Sequence, residues 1–188
     1  MRKVIAAINV TLDGFCDHTA MIADEEIHEH YNRLLKSAGS ILYGRRTFEL
    51  MKYWQAVVKN PTGEKSMDEF AVTIDNIPKI VFSHTLKNLD WETARLANRD
   101  PGEEVSELKQ SADGGSKKIL VGSPGLIVAL TNLNLIDEFQ LCVQPIILGE
   151  GLRLLKNIRD RIDLNLLKTK TFKSGSIILY YAPVKNDR

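Results

Sequence analysis

The chain is poor in the residues that would place it in a specialised class. Its 188 residues include two cysteines, six prolines and 7% aromatics, and 25 Lys+Arg stand against 24 Asp+Glu. Cys16 and Cys142 lie in unlike surroundings without metal-type spacing, which excludes a disulfide framework or a zinc module. Cys142 alternates with core-type residues and reads as packing rather than chemistry. A net charge of +1, with charges dispersed along the chain, offers no basic face for nucleic acid. The longest apolar stretches, such as Ile177-Ile178-Leu179-Tyr180-Tyr181, are strand-sized against the roughly 20 residues of a membrane span. Only Val4–Ile8 is apolar behind Met1-Arg2-Lys3, so no signal peptide is expected. The expectation is a cytoplasmic protein with reduced thiols, acting on a small molecule rather than on nucleic acid or a membrane.

With 44% hydrophobic residues there is enough apolar material for one substantial core, and no repeat or linker divides residues 1–188. Val4–Ile8 reads as a buried strand ending in the loop Thr11-Leu12-Asp13-Gly14. Asp24 is placed to cap a helix running to about Ala38, with Ile27, Tyr31, Leu34, Leu35 and Ala38 on one stripe. A strand through Ile41 and a helix from Arg45 to about Lys52 follow. Residues 55–75 read as a polar surface loop with a short helix near Met67–Val72. Strands are expected at Lys79–Ser83, Ala94–Asn98 and Lys118–Gly122. Asp100-Pro101-Gly102-Glu103 has the spacing of a helix start, and Asp113-Gly114-Gly115 closes that helix. From Asp137 to Ile147 the alternation is that of an antiparallel strand with one wetter face. Leu164–Phe172 and Ser176–Ala182 form a hairpin. Strand–helix alternation followed by strands alone gives an α/β fold with a mixed sheet.

Three strand ends carry polar chemistry. Gly44-Arg45-Arg46-Thr47 follows an apolar strand and opens a helix with two guanidinium groups. Helix starts expose unpaired N–H groups, and arginine presents a fork that matches phosphate oxygens. Val121-Gly122-Ser123-Pro124-Gly125 is a second strand-to-helix turn, with glycines that permit close backbone approach and a serine able to cap the helix. Ser83-His84-Thr85 ends a third strand. Neither glycine turn fits the G-x-G-x-x-G fingerprint or a P-loop. In open α/β sheets, ligands sit beyond such carboxyl ends.

In this order, strand-Gly-Arg-Arg-Thr-Phe-Glu, strand-Val-Phe-Ser-His-Thr and strand-Val-Gly-Ser-Pro-Gly resemble the dihydrofolate-reductase-like fold. The similarity is closest to the family related to the reductase domain of the bifunctional riboflavin-biosynthesis deaminase-reductase. Asn9-Val10-Thr11-Leu12-Asp13-Gly14, Leu135–Phe139, Pro145–Gly151 and Thr171–Gly175 extend it over nearly the whole chain. The resemblance implies a single domain with a central mixed, mostly parallel sheet flanked by helices and a C-terminal β-hairpin. It also implies a homodimer that binds NADPH and transfers hydride to a heterocyclic or carbonyl-type substrate.

By position, the resemblance places Gly44, Arg45 and Thr47 at the 2′-phosphate and pyrophosphate, with Arg46 turned to solvent. Ser83 and His84 would lie near the adenosine phosphate, and Gly122, Ser123 and Gly125 near the pyrophosphate and nicotinamide ribose. Both reductase families usually carry adjacent glycines where this chain has Gly122-Ser123.

Candidate catalytic carboxylates are Asp13, which is also half of a routine Asp-Gly turn pair, and Glu150, between Gly149 and Gly151. Trp54 either walls the substrate pocket or belongs to the core. Asp24, Glu25, Glu26 and Glu29 lie on the first helix, but without the Trp/Leu-Pro setting that surrounds the acid of dihydrofolate reductase. The alternatives are therefore dihydrofolate reduction itself or a non-catalytic nucleotide-binding, dimeric protein on the same fold. The His-x-Glu and Pro-Cys-x-x-Cys zinc motifs of the deaminase half are absent.

Overall fold

The computed structural model describes residues 1–19, 24–111 and 117–184. The turn expected at Asp113-Gly114-Gly115 falls outside them. The chain forms β1 (Val4–Thr11), α1 (Glu25–Lys36), β2 (Ala38–Gly44), α2 (Arg45–Met51), α3 (Tyr53–Lys59), α4 (Lys65–Asn76) and β3 (Lys79–Phe82). It continues with β4 (Ala94–Leu96), α5 (Pro101–Gln110), β5 (Lys118–Val121), α6 (Pro124–Asn132), β6 (Glu138–Gln144), β7 (Leu164–Thr171) and β8 (Ile177–Pro183). The strands make one eight-stranded sheet in the order β4-β3-β2-β5-β1-β6-β8-β7. Strands β4 through β6 in that order are mutually parallel, and β8 and β7 close the sheet as an antiparallel pair.

Parallel neighbours need crossover connections, and here helices make all but the β3–β4 link, which runs through residues 83–93, so helices cover both faces of the sheet. Alternate residues of β1 therefore enter different cores. Val4, Ala6 and Val10 pack with Val105 of α5 and Leu126, Ile127 and Leu130 of α6. Ile5 packs on the other face with Leu34 and Leu35 of α1, Phe48 of α2 and Ile74 of α4. Ile27 of α1 continues that layer over Cys142, Phe172, Ile178 and Tyr180. Cys142 is fully buried packing, as its alternation indicates. Asp24 and Asp100 both accept first-turn N–H bonds and cap their helices.

Three local expectations are corrected. Residues 55–75 hold the end of α3 and most of α4 rather than a polar loop, and the short helix expected near Met67–Val72 is the middle of α4, which runs Lys65–Asn76. Ser66, Ala71 and Ile74 bury one stripe of α4, and Asp68 in its first turn accepts from Thr62 N, Thr62 Oγ1 and Gly63 N. That folds the approaching chain onto the helix start. Helix α1 stops at Lys36, where Ser37 Oγ donates to Leu34 O, so Ala38 is buried as the first residue of β2. Strand β6 is parallel to β1 and antiparallel only to β8, and its polar alternates Gln140 and Gln144 are buried.

Lys79 opens β3 with 1% of its surface exposed. Its ammonium donates to Asp75 O at 3.0 Å, Ile77 O at 2.9 Å and Thr93 Oγ1 at 2.7 Å, and lies 4.1 Å from the Trp91 ring centroid. All three donors are used, so one side chain closes the end of α4 and pins the approach to β4. Burial pushes its pKa down to about 8, from an ordinary 10.5. The folded state thus sheds this proton before the unfolded state does, so stability rises with pH between those two values. Chemical denaturation across that window is expected to show wild-type stability rising relative to Lys79→Met; parallel profiles would contradict the assignment.

Candidate functional site

Because the central strands are parallel, the loops after β1, β2, β3, β5 and β6 leave from one edge of the sheet. Gly44 ends β2 and caps α2 in an extended conformation, φ −79° and ψ 164°. Its N–H donates to Ser123 Oγ at 2.8 Å, tying the turn after β2 to the turn after β5. This corrects the expectation that Ser123 caps α6. Its hydroxyl makes no cap bond, and the side chain is spent on Gly44. Helix α6 therefore begins with Pro124, which has no N–H, and Gly125, and its first-turn N–H groups take no bond from the Ser123 side chain. Gly125 is exposed, and a Cβ there would meet nothing within 4 Å.

Arg45 and Arg46 both lie on the surface, and Thr47 is half-buried. Arg45 Nη1 is 3.3 Å from Glu49 Oε1 one turn on, and both side chains are 45% exposed. A pair so open to water is worth little and exchanges readily for a stronger anion. Ser83 Oγ accepts from Thr85 N at 3.2 Å and Leu86 N at 3.0 Å, so it shapes its own turn, while His84 is exposed. Trp54 packs between helices, its ring centroid 4.6 Å from Phe70 and 6.1 Å from His28. Of its two readings, the helix-packing one describes these contacts.

Asp13 sits where β1 leaves the sheet. Its carboxylate accepts from Thr11 Oγ1 at 2.6 Å, Gly149 N at 2.7 Å and Leu148 N at 3.2 Å. These bonds, the Thr11 hydroxyl foremost, hold its pKa down at about 2. At neutral pH it is an ionised clamp between the β1 loop and Leu148-Gly149, with no proton to donate. Glu150 stands exposed between Gly149 and Gly151, whose φ values of +84° and +130° suit glycine. Asp13 also borders a cavity of about 270 Å³ lined with Val10, Leu141, Arg153, Leu154 and Lys156. A second cavity, about 290 Å³, lies along α5, where Arg95 pairs with Glu104 and Arg99 with Glu107.

Sequence reading missed a buried polar network at the same edge. Tyr31 of α1 donates to Asn9 Oδ1 at 3.0 Å, Gln144 Nε2 approaches that oxygen at 3.4 Å, and Ser176 Oγ donates to Gln144 Oε1 at 3.0 Å. The available signal was Asn9 interrupting the apolar run of β1. Among the described residues, no cluster of three or more His, Cys, Asp or Glu is arranged to hold a metal, and no helix is long and apolar enough to cross a membrane.

A mixed sheet with its polar turns gathered at the carboxyl edge and a terminal antiparallel pair defines a dihydrofolate-reductase-like domain. The chain belongs to the RibD C-terminal domain family, which matches residues 2–178. It is 33% identical over 183 residues to Uncharacterized protein YyaP of Bacillus subtilis (strain 168), covering 96% of this chain and 94% of that one. It is 26% identical over 186 residues to Uncharacterized protein YwjB of the same organism, covering 96% and 97%.

Among solved structures, a candidate riboflavin biosynthesis protein from Shewanella sp. PV-4 superposes with a TM-score of 0.71 at 16% identity, over 98% of this chain and 100% of the other. A pyrimidine reductase-like protein from Corynebacterium diphtheriae gives 0.65 at 12%, over 98% and 93%. The Thermotoga maritima diaminohydroxyphosphoribosylaminopyrimidine deaminase/5-amino-6-(5-phosphoribosylamino)uracil reductase gives 0.62 at 18%. That match covers 97% of this chain and 56% of the bifunctional protein. At these identities the structural likenesses establish the fold.

The Asp13 clamp has a pH signature. A carboxyl whose folded pKa is depressed contributes stability above its unfolded pKa and loses it as pH falls towards the folded value. For Asp13 the window runs from about 3.8 down to about 2. Thermal melts are expected to show Asp13→Asn below wild type at neutral pH, with the gap closing on acidification through that window. A gap unchanged by pH would remove the clamp assignment.

Proposed function

We propose that this protein is a cytoplasmic, NADPH-dependent reductase that transfers hydride to a small heterocyclic or carbonyl-type substrate and works as a homodimer. The observation that carries the reading is the bond from Gly44 N–H to Ser123 Oγ. It sets the arginine-bearing start of α2 beside the uncapped start of α6. Exposed guanidinium, weakly held by Glu49, and unpaired first-turn N–H groups are the donor set a dinucleotide phosphate requires. Open space at Gly125 admits close approach of a pyrophosphate.

In this reading Arg45 and Thr47 hold the 2′-phosphate, and His84, with Ser83 shaping its turn, lies towards the adenosine. Gly122, Ser123 and Gly125 line the path of the pyrophosphate. NADPH, when bound, supplies the hydride. Asp13 positions the Leu148–Gly151 loop, and Glu150 is the exposed carboxyl of that corner available to handle a proton. Family membership supports a substrate of pyrimidine type, in the manner of the 5-amino-6-(5-phosphoribosylamino)uracil named for the Thermotoga protein. A second reading, nucleotide binding without turnover, draws on the ionised state of Asp13, which removes one of the two candidate acids. The dimer reading draws on Leu141, Val143, Leu179, Tyr181 and the exposed Ile177 and Leu166. They share the face of β6, β8 and β7 opposite α1, where Leu141, Val143 and Tyr181 pack at the margin of the α5/α6 core and Ile177 and Leu166 stand exposed beyond it.

Calorimetric titration with NADPH is expected to show binding, and Arg45→Ala to weaken it by ~10-fold or more while altering NADH affinity little. Absence of any NADPH binding would overturn the reductase reading, and an unchanged NADPH-to-NADH preference in Arg45→Ala would overturn the assigned grip. Light scattering is expected to give twice the chain mass for wild type and a shift towards monomer for Ile177→Asp. A wild-type monomer at working concentration would remove the dimer.

A further inference from the structure

Asn9 is the polar interruption in β1, and its surroundings fix which way its amide points. Tyr31 OH donates to Asn9 Oδ1 at 3.0 Å, and Gln144 Nε2 approaches the same oxygen at 3.4 Å. Gln144 is fully buried, and its Oε1 is already taken by Ser176 Oγ, so only its amino end can face Asn9. The donors of the network converge on Oδ1, which turns Nδ2 outward. Among the described residues Nδ2 has no hydrogen-bond partner. It is not enclosed either, since Gln140 Oε1 is the one buried side-chain polar atom among them without a partner. Asn9 itself is half-buried. The result is a pair of N–H donors, locked in direction, at the carboxyl edge.

The surface beside it is built from small groups. Ala7 lies two residues earlier on the same face of β1 and is only half-buried, although β1 is a central strand. Next to it Gly122 carries no side chain, and a Cβ there would stand 3.7 Å from Ala7 O and 3.8 Å from the Tyr43 ring. Larger side chains at either position would fill the space that a flat ring needs.

We propose that Asn9 is the substrate-recognition residue of this edge, its Nδ2 donating to a carbonyl oxygen on the rim of a planar heterocycle laid against Ala7 and Gly122. This rests on the reductase reading for the identity of the site, and it adds the hydrogen-bonding sense of the substrate edge. An asparagine free to rotate would accept as readily as donate. Held by Tyr31 and Gln144, this one presents donors only, so a ligand offering amino donors there leaves both sides unpaired.

The test uses two fragments of equal shape and opposite edge chemistry, at a pH where both are neutral. Uracil presents carbonyl acceptors and 2,4-diaminopyrimidine presents amino donors. Ligand-observed NMR titrations on wild type are expected to favour uracil. Asn9→Asp keeps the shape and still accepts from Tyr31 and Gln144, but it offers an acceptor at this edge, so the preference is expected to reverse by ~10-fold. Asn9→Ala is expected to bind both fragments weakly and without preference.

Equal preferences in wild type and Asn9→Asp, or failure of wild type to bind uracil, would overturn the proposal. NADPH titration of wild type keeps the two readings apart. A reversed fragment preference without NADPH binding retains Asn9 and removes the reductase. NADPH binding without a reversed preference does the opposite.

Discussion

Everything at the candidate site follows from the parallel alignment of the six strands from β4 to β6. Each parallel neighbour must be reached by a crossover, and each crossover begins beyond a strand's carboxyl end. The carboxyl ends of all six strands are thereby gathered at one edge, whatever the sequences of their turns. The same constraint covers both faces with helices, which is why β1 alternates between two apolar cores. Where the parallel run stops, coverage stops as well. Strands β8 and β7 are added by a hairpin without a crossover, so the α5/α6 core ends at Tyr181 and leaves Ile177 and Leu166 exposed.

What could be read from sequence is what local chemistry decides. The apolar runs of β1, β2, β3 and β5, the caps at Asp24 and Asp100, and the glycine turns at Gly44 and Gly122 all depend on neighbours within a few residues. Of helix α4 only the middle, Met67–Val72, was legible, because its buried stripe is interrupted by charges. Asp68, which looks like loop polarity, is the residue that fastens Thr62 and Gly63 to the helix start. The β6 polar alternates pointed to a wet face, yet α1 and the end of β1 cover that face. Asn9, Tyr31, Gln144 and Ser176 are scattered along the chain and meet only in three dimensions. Of that network, sequence could offer one misplaced polar residue and no partner for it.

Two charged side chains show how the fold treats ionisable groups on and off the candidate site. Lys79 is enclosed and gives all three donors to backbone and hydroxyl oxygens, yet burial still lowers its affinity for a proton. Asp13 stays near solvent and gathers donors, so its charged form is favoured. Desolvation dominates one and hydrogen bonding the other. For chemistry at the edge this is a constraint: the carboxylate best placed to order the β1 and β6 loops is the one least able to release a proton. In a reductase, ordering and protonation would then fall to different groups, with the clamp at Asp13 and the proton at an exposed acid such as Glu150 or at water.

The serine at position 123 bears directly on the cofactor reading. Where the resemblance drawn from sequence leads one to expect a second glycine, this chain has a side chain in the turn after β5. A serine capping α6 would have satisfied the first-turn N–H groups and so competed with a phosphate for them. Instead the hydroxyl turns towards β2 and accepts from Gly44 N, which lies beyond the last β2–β5 pair, Leu42 with Val121. The substitution therefore braces the two anion-facing turns against each other. It also leaves the α6 start as open as a glycine would. Ser123 is 2% exposed and takes no room from the edge itself. A departure from the family pattern that would count against phosphate binding in sequence is, by its hydrogen bond, compatible with it.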